Sequence, residues 1–270
     1  MMKVYYKNHF GETIDLKQYP YHLLSGDLLD YEWETISSGG RISGFGKEIV
    51  EIALKFEIFA KKEEYHRALD RVTEIFEKDI LTVTPGKLYI NDQYIQCYIT
   101  SSKKTEWESD ILAVTELTVV TDYPYWIREE TVHFEPISEE ADNNKEYPYR
   151  YPYRYTNGFS NRTLYNDHYV ASDFRMIIFG PVSAPAVFIS EHLYQVNILL
   201  EAGEYLTIDS AKGTITVTEN AGKQKNVFNN RNKIQDIFCK IPQGMNKVKW
   251  NGKFGFDIIL LKERSQPKCG

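Results

Sequence analysis

A chain of 270 residues, 42% hydrophobic and 26% charged, is an ordinary globular mix and long enough for one large or two ordinary domains. Its formal net charge of −6 speaks against a general nucleic-acid binder, which concentrates Lys and Arg. No apolar run approaches the ~18 residues of a membrane span, the N-terminus reads as lacking a signal peptide, and three scattered cysteines (Cys97, Cys239, Cys269) form no paired framework.

Tyrosine, at 20 copies, suits half-buried strands and wet interfaces and favours a β protein with extensive contact surfaces. The first segments, Ile14–Leu16 and Tyr19–Leu29, read as short extended pieces, and Tyr31–Thr35 alternates large and charged residues as a half-buried strand does. The glycine-rich run Ser37–Gly46 lacks the spacing of a dinucleotide fingerprint and reads as a mobile loop or a projecting arm. Val50–Ile58 is a strand with its even positions apolar. A helix is predicted over Glu63–Asp79, where Tyr65, Ala68, Leu69, Val72, Ile75 and Phe76 form one stripe. Hairpin arms at Leu88–Ile90 and Tyr94–Ile99 flank Asn91-Asp92, and Ile111–Val120 is a further strand. Cys97 falls within a strand pattern and reads as a small buried hydrophobe, whereas Cys269 lies in a tail.

From Asp122 to Tyr155 two aromatic-proline runs enclose a polar, acidic spacer that has almost nothing to bury. Beyond it come short strands and turns: His168–Phe179, Ala186–Ile189, Leu193–Leu200, Tyr205–Ile208, Thr214–Thr218, then Val248–Trp250 and Lys253–Leu260 around a hairpin signal at Asn251-Gly252. The order predicts an α+β N-terminal domain over 1–134, a β-sheet or sandwich with one packed helix. A linker over 135–155 and an all-β sandwich over 156–270 follow.

Catalytic signatures are missing from this pattern. There is no nucleophile elbow, phosphate loop or zinc motif, and the six histidines have no metal-ligand spacing. Asp27, Asp30, Glu32 and Glu34 form a local acidic cluster that reads as a solvated face rather than an acid–base pair. Asn229, Asn230, Arg231 and Asn232 with Trp250 offer amides, a guanidinium and an aromatic face for a sugar; the competing reading is a polar loop and a core tryptophan. The Tyr-Pro-Tyr-Arg repeat at 147–154 reads either as a ligand for an aromatic groove or as an intramolecular or subunit contact.

Several segments in order resemble the distal tail protein family of long-tailed siphophages and related prophages. They are Gly11–Leu16, Pro85–Asp92, Tyr123–Ile127, the Tyr-Pro-Tyr-Arg repeats, Leu200–Asp209 and Gly252–Asp257. The resemblance implies a non-enzymatic virion component of the tail tip or baseplate, assembled in the bacterial host cytoplasm, with no cofactor, no metal and no membrane. Six copies would form a ring below the tail tube protein and above the tail-associated protein, with a receptor-binding protein as a further partner. The first domain would build the ring and the second would be a galectin-like sandwich outside it. A ring interface needs a patch and its complement on different faces of one subunit. Gly39–Gly46, with Ile42, Gly44, Phe45 and Gly46, is the candidate, since apolar residues on an arm make sense if a neighbour covers them. The acidic balance suits a conduit that must not hold passing DNA. A carbohydrate-binding adhesion module, touching the wall through Asn230, Arg231 and Trp250, is the alternative, and a glycan hydrolase is a third reading.

Overall fold

The computed structural model describes residues 2–106, 111–137 and 162–268. They gather in two compact units, one of Met1–Arg128 with Glu263–Gly270, the other of Glu129–Lys262. Most of the linker expected over 135–155, including the Tyr-Pro-Tyr-Arg repeats, lies outside the described residues, as does Cys269.

The first unit contains β1 (Val4–Lys7), β2 (Thr13–Asp15), β3 (Tyr21–Gly26), β4 (Glu34–Ser38), β5 (Arg41–Gly46), β6 (Val50–Phe59), α1 (Lys62–Thr82), β7 (Gly86–Ile90), β8 (Gln93–Glu106), β9 (Leu112–Thr121) and the start of β10 (Trp126–Phe134). Among the described residues its strands β1 to β10 pair with one another antiparallel. One sheet runs β2–β1–β7–β8–β10, and a second runs β3–β6–β9–β8. Strand β8 serves both: residues up to Cys97 pair with β7, and Tyr98 onward pairs with β9. Register shifts after Ile99 and Lys104 bend it, as bulges do.

Period-two patterning decides which face of β6 is inside. Ile52, Leu54, Phe56 and Ile58 are buried, while the residues between them are not. Helix α1 buries Tyr65, Ala68, Val72, Ile75 and Phe76 against the same core, and Leu69 is only half-buried at its margin. The helix runs three residues past the predicted end. Asp79 looks like the close of the apolar stripe, yet it is fully buried, and the chain continues to an αL cap at Val83. There is no side-chain cap at the N-terminus; Glu63 and Glu64 in the first turn complement the helix dipole instead.

In the second unit, β10 is followed by β11 (Arg162–Asn166), β12 (Asp173–Phe179), β13 (Val182–Ser183), β14 (Ala186–Ile189), β15 (His192–Gln195), β16 (Leu199–Leu200), β17 (Tyr205–Asp209), β18 (Thr214–Thr218), β19 (Gln224–Asn226), β20 (Gly244–Lys249) and β21 (Phe256–Arg264). One sheet orders β19–β18–β17–β12–β21 and the other β11–β20–β14–β15, with β13–β16 as a small accessory pair. Phe174, Met176, Ile178, Leu206, Ile208 and Ile258 from the first share a buried core with Leu164, Val187, Ile189, Tyr194 and Val248 from the second. That is the sandwich the regular strand spacing predicts.

Asn251-Gly252 does not make the predicted hairpin. Strand β20 pairs with β11 and β14, whereas β21 pairs with β12, so the dipeptide hands the chain from one sheet to the other. The Asn251 side chain accepts the Lys253 amide, closing a local turn, and Gly252 takes φ 74°. Asn-Gly here supplies the turn geometry without the strand partnership that usually accompanies it.

Candidate assembly interface

Residues 27–49 are inserted between the neighbouring strands β3 and β6, and their middle is a two-stranded hairpin, β4–β5, paired with no other strand among the described residues. Gly39 (φ 59°) and Gly40 (φ 75°) form its two-residue turn, where two consecutive positive φ values demand glycine. So the run first read as a loop or arm is a β-hairpin arm. The strand expected at Tyr31–Thr35 as half-buried starts at Glu34 instead and is exposed throughout. Ile36, Ile42 and Phe45 are 54%, 64% and 59% exposed. Gly44 and Gly46 lie opposite Ile36 and Glu34, and the Ile36 side chain lies close to both glycines.

A polar clamp holds the root of this arm. The Lys47 ammonium sits over the rings of Tyr125 (4.6 Å), Trp33 (4.9 Å) and Tyr31 (5.8 Å) and donates to the Pro124 carbonyl at 3.0 Å. Partial burial lowers its pKa from the ordinary lysine value. Trp33 and Tyr125 meet edge-on at 6.1 Å, and Tyr125 meets Tyr123 at 5.1 Å. An isolated hairpin is marginal in water, so its bearing on the body depends on such anchors. Asp27, Asp30, Glu32 and Glu34 are all exposed around this root.

The sugar-binding candidates are placed differently. Trp250 is 0% exposed: its indole donates to the Phe254 carbonyl at 3.0 Å, and its ring packs against Phe134 and Phe256. A ring without a free face offers no stacking platform, so the expectation of a sugar contact at Trp250 is corrected to a core role. Arg231 donates to the Phe228 carbonyl at 2.9 Å with its guanidinium 3.8 Å from that ring, and Asn230 donates to the Asn197 carbonyl at 3.3 Å. Both brace the 3₁₀ turn at Phe228–Asn230.

One cluster escaped the sequence reading. Asp79, fully buried in α1, accepts hydrogen bonds from the Tyr6 hydroxyl, from the His9 amide at 3.0 Å and from His9 Nδ1 at 2.5 Å. Burial, then the adjacent Cys97 and Asp79, pushes the Tyr6 phenol far above its usual pKa. Gly86 crosses directly beneath, and a Cβ there would overlap the Tyr6 hydroxyl and the Asp79 carboxylate. The sequence signal was available in principle: an acidic residue in register with the apolar stripe of a helix.

No protein-family model matches the chain, and no curated protein matches it. Solved structures do. The SPP1 Dit (gp 19.1) protein, described as a paradigm of the hub adsorption apparatus in phages infecting Gram-positive bacteria, matches at TM-score 0.59 and 9% identity, over 98% of this chain and 99% of that one. The phage P2 baseplate in its activated conformation with Ca matches at TM-score 0.65 and 14% identity, and its form with Sr at 0.64 and 14%, each over 99% of this chain and 100% of that one. At such identities the likeness is one of fold. The chain therefore shares its fold, along nearly its whole length, with the SPP1 Dit hub protein and with a chain of the P2 baseplate. In particular, its α+β unit with one helix and its β-sandwich together form a fold similar to that of the SPP1 Dit protein over nearly the full length of both chains.

Proposed function

We propose that this chain is a structural component of a phage or prophage tail tip, a hub that closes into a six-membered ring. In this reading it joins the tail tube protein above to the tail-associated protein, and through it the receptor-binding protein, below. The observation that carries the ring is the arm: a hairpin bearing Ile36, Ile42 and Phe45 in solvent, held at its root by Lys47. Exposed apolar residues on a fixed projection are covered when a neighbour receives them. An arm on one face and a receiving surface on another make a head-to-tail contact, which closes into a ring when the rotation per subunit divides the circle. The α+β unit builds the ring in this reading, and the sandwich, galectin-like in family terms, faces outward. Full-length coverage of hub and baseplate folds supports the assignment. The chain acts by geometry and not by turnover.

Native mass spectrometry and negative-stain imaging of the purified chain test it. Hexamers or six-fold rings are expected, and Ile42→Asp with Phe45→Asp is expected to leave folded monomers. Wild-type chain that stays monomeric at high concentration, alone and with tail tube protein, overturns the reading.

A further inference from the structure

We infer that the open edge of strand β11 is an attachment site, at which an extended segment of another protein adds to the four-stranded sheet β11–β20–β14–β15 as a further strand. The segment it fits is free of proline, apolar at one outer-face position and acidic two residues away. This goes beyond the ring reading and does not depend on it.

The direction of the backbone groups in β11 follows from its neighbours. The Ser190 amide donates to the Lys247 carbonyl at 2.9 Å, so the Lys247 backbone faces β14. Alternation along an antiparallel ladder then turns Gly244, Asn246 and Val248 toward β11, where they stand opposite Asn166, Leu164 and Arg162. Thr163 and Tyr165 are left with their N–H and C=O groups pointing away from β20, and both residues are exposed. No strand lies beyond them among the described residues.

Other edges of the sandwich are closed or blunted. On the far side of the same sheet, Gln235 Oε1 accepts the Leu193 amide of β15, and the Gln195 carbonyl accepts the Asn232 amide at 2.9 Å. In the first sheet the edge strand β19 is three residues long, exposed throughout, with Lys225 at its centre. Capped, short or charged edges resist a foreign strand. Strand β11 is five residues long, and among the described residues nothing caps the outward groups of Thr163 or Tyr165.

The flanking side chains state what the strand should carry. Tyr165 and Met245, 56% and 72% exposed, are directly opposite in register, a non-hydrogen-bonded pair of the kind whose side chains lie close. An apolar residue beside Tyr165 extends that cluster. Thr163 stands opposite Lys247, which shares the outer face with Lys249. Both ammonium groups act on the single carboxylate of Glu191, which Lys249 pairs at 2.7 Å. An acidic residue beside Thr163 answers the surplus positive charge. Backbone bonds then hold the segment and alternate side chains select it, which is the mode of strand addition. Neither 138–146 nor 147–155 of this chain meets the requirement. The first run has no large apolar residue, and the second contains Pro148 and Pro152, which have no N–H to give.

Random linear peptides of about twelve residues, displayed on yeast and panned on the full chain, test this. Enriched sequences are expected to carry an acidic and a large apolar residue two apart, with no proline between them. A synthetic copy of an enriched peptide is expected to slow amide exchange at Thr163 and Tyr165 by about tenfold or more. Thr163→Pro removes one outward N–H and spares the ladder to β20. It is expected to keep the melting curve and to weaken that peptide about tenfold or more. Tyr165→Lys with Met245→Lys is expected to weaken it likewise, and decides the matter should the proline disturb the strand. No enrichment, or peptides that bind both variants as well as wild type, overturns the inference. Slow exchange of Thr163 and Tyr165 in the free chain overturns it too, since the edge is then closed already. Dimers of the chain alone that Thr163→Pro dissolves overturn it in favour of a second copy. Ring formation is scored separately in the same variants, so the two readings stand or fall apart.

Discussion

Lys47 shows how a single side chain can set the direction of a whole arm. Its ammonium lies 4.6–5.8 Å from three ring centroids and reaches a carbonyl besides. Cation–π contacts of this kind contribute about 0.5–2 kcal/mol depending on desolvation. Lys47→Met keeps the length of the side chain and removes the charge. It should loosen the arm root by about 1–2 kcal/mol, read as roughly 5- to 30-fold faster amide exchange over residues 34–46. Unchanged exchange there would mean the hairpin is held by something else. Cys97 illustrates the opposite case, a group silenced by its surroundings. Burial pushes its thiol up to about 12, so the reactive thiolate is scarce at neutral pH. Alkylation of the folded chain at pH 8 should spare Cys97 and modify the half-exposed Cys239; equal labelling of both in mapped peptides would contradict this placement. That Cys97 is buried was legible from its place in an alternating strand. Its neighbours Tyr6 and Asp79 were not, because they come from elements 73 residues apart in sequence.

At the scale of elements, α1 was legible where its pattern is one-sided and misread where it is not. The stripe gives the buried face correctly, yet Leu69 lies at its edge, and an aspartate there meets solvent more easily than periodicity alone suggests. The residue that tests packing is Ile75, 3% exposed. Ile75→Ala should cost about 2–5 kcal/mol in denaturant unfolding, and Leu69→Ala clearly less. Equal losses would place Leu69 in the core after all. The helix end was misplaced because an aspartate reads as a terminator, whereas here its carboxylate is consumed by Tyr6 and His9. Asn251-Gly252 failed for a related reason. Turn chemistry is local, but which strands a turn joins is decided by the sheets that β20 and β21 enter. The arm was legible as a glycine-rich interruption; its hairpin pairing was not, since two of its strand positions are glycine and carry no pattern.

For the whole molecule, the sequence order of one helix among strands followed by strands alone was enough to expect an α+β part and a sandwich. What it did not display is how the chain is divided. The second unit ends at Lys262, and residues 263–270 belong to the first. Gln93 holds that returning segment by a reciprocal pair, donating to the Lys268 carbonyl at 3.0 Å and accepting its amide at 2.8 Å. Such a tie between one side chain and a backbone 175 residues on has no sequence signature. The two buried clusters share no residue, one gathering Val4 to Trp126 and the other Phe134 to Leu260. Separate cores predict separable unfolding, because cooperativity is carried by the contacts a unit buries within itself. Scanning calorimetry of the full chain should therefore show two transitions. Ile75→Ala should lower one by several degrees, and Trp250→Ala, which empties a site packed by Phe134 and Phe256 at a cost of about 3–5 kcal/mol, should lower the other. If both substitutions move one common transition by the same amount per kcal/mol, the units melt as one body. The arm and the sandwich would then share a single stability, and loss at either end of the chain would be felt at the other.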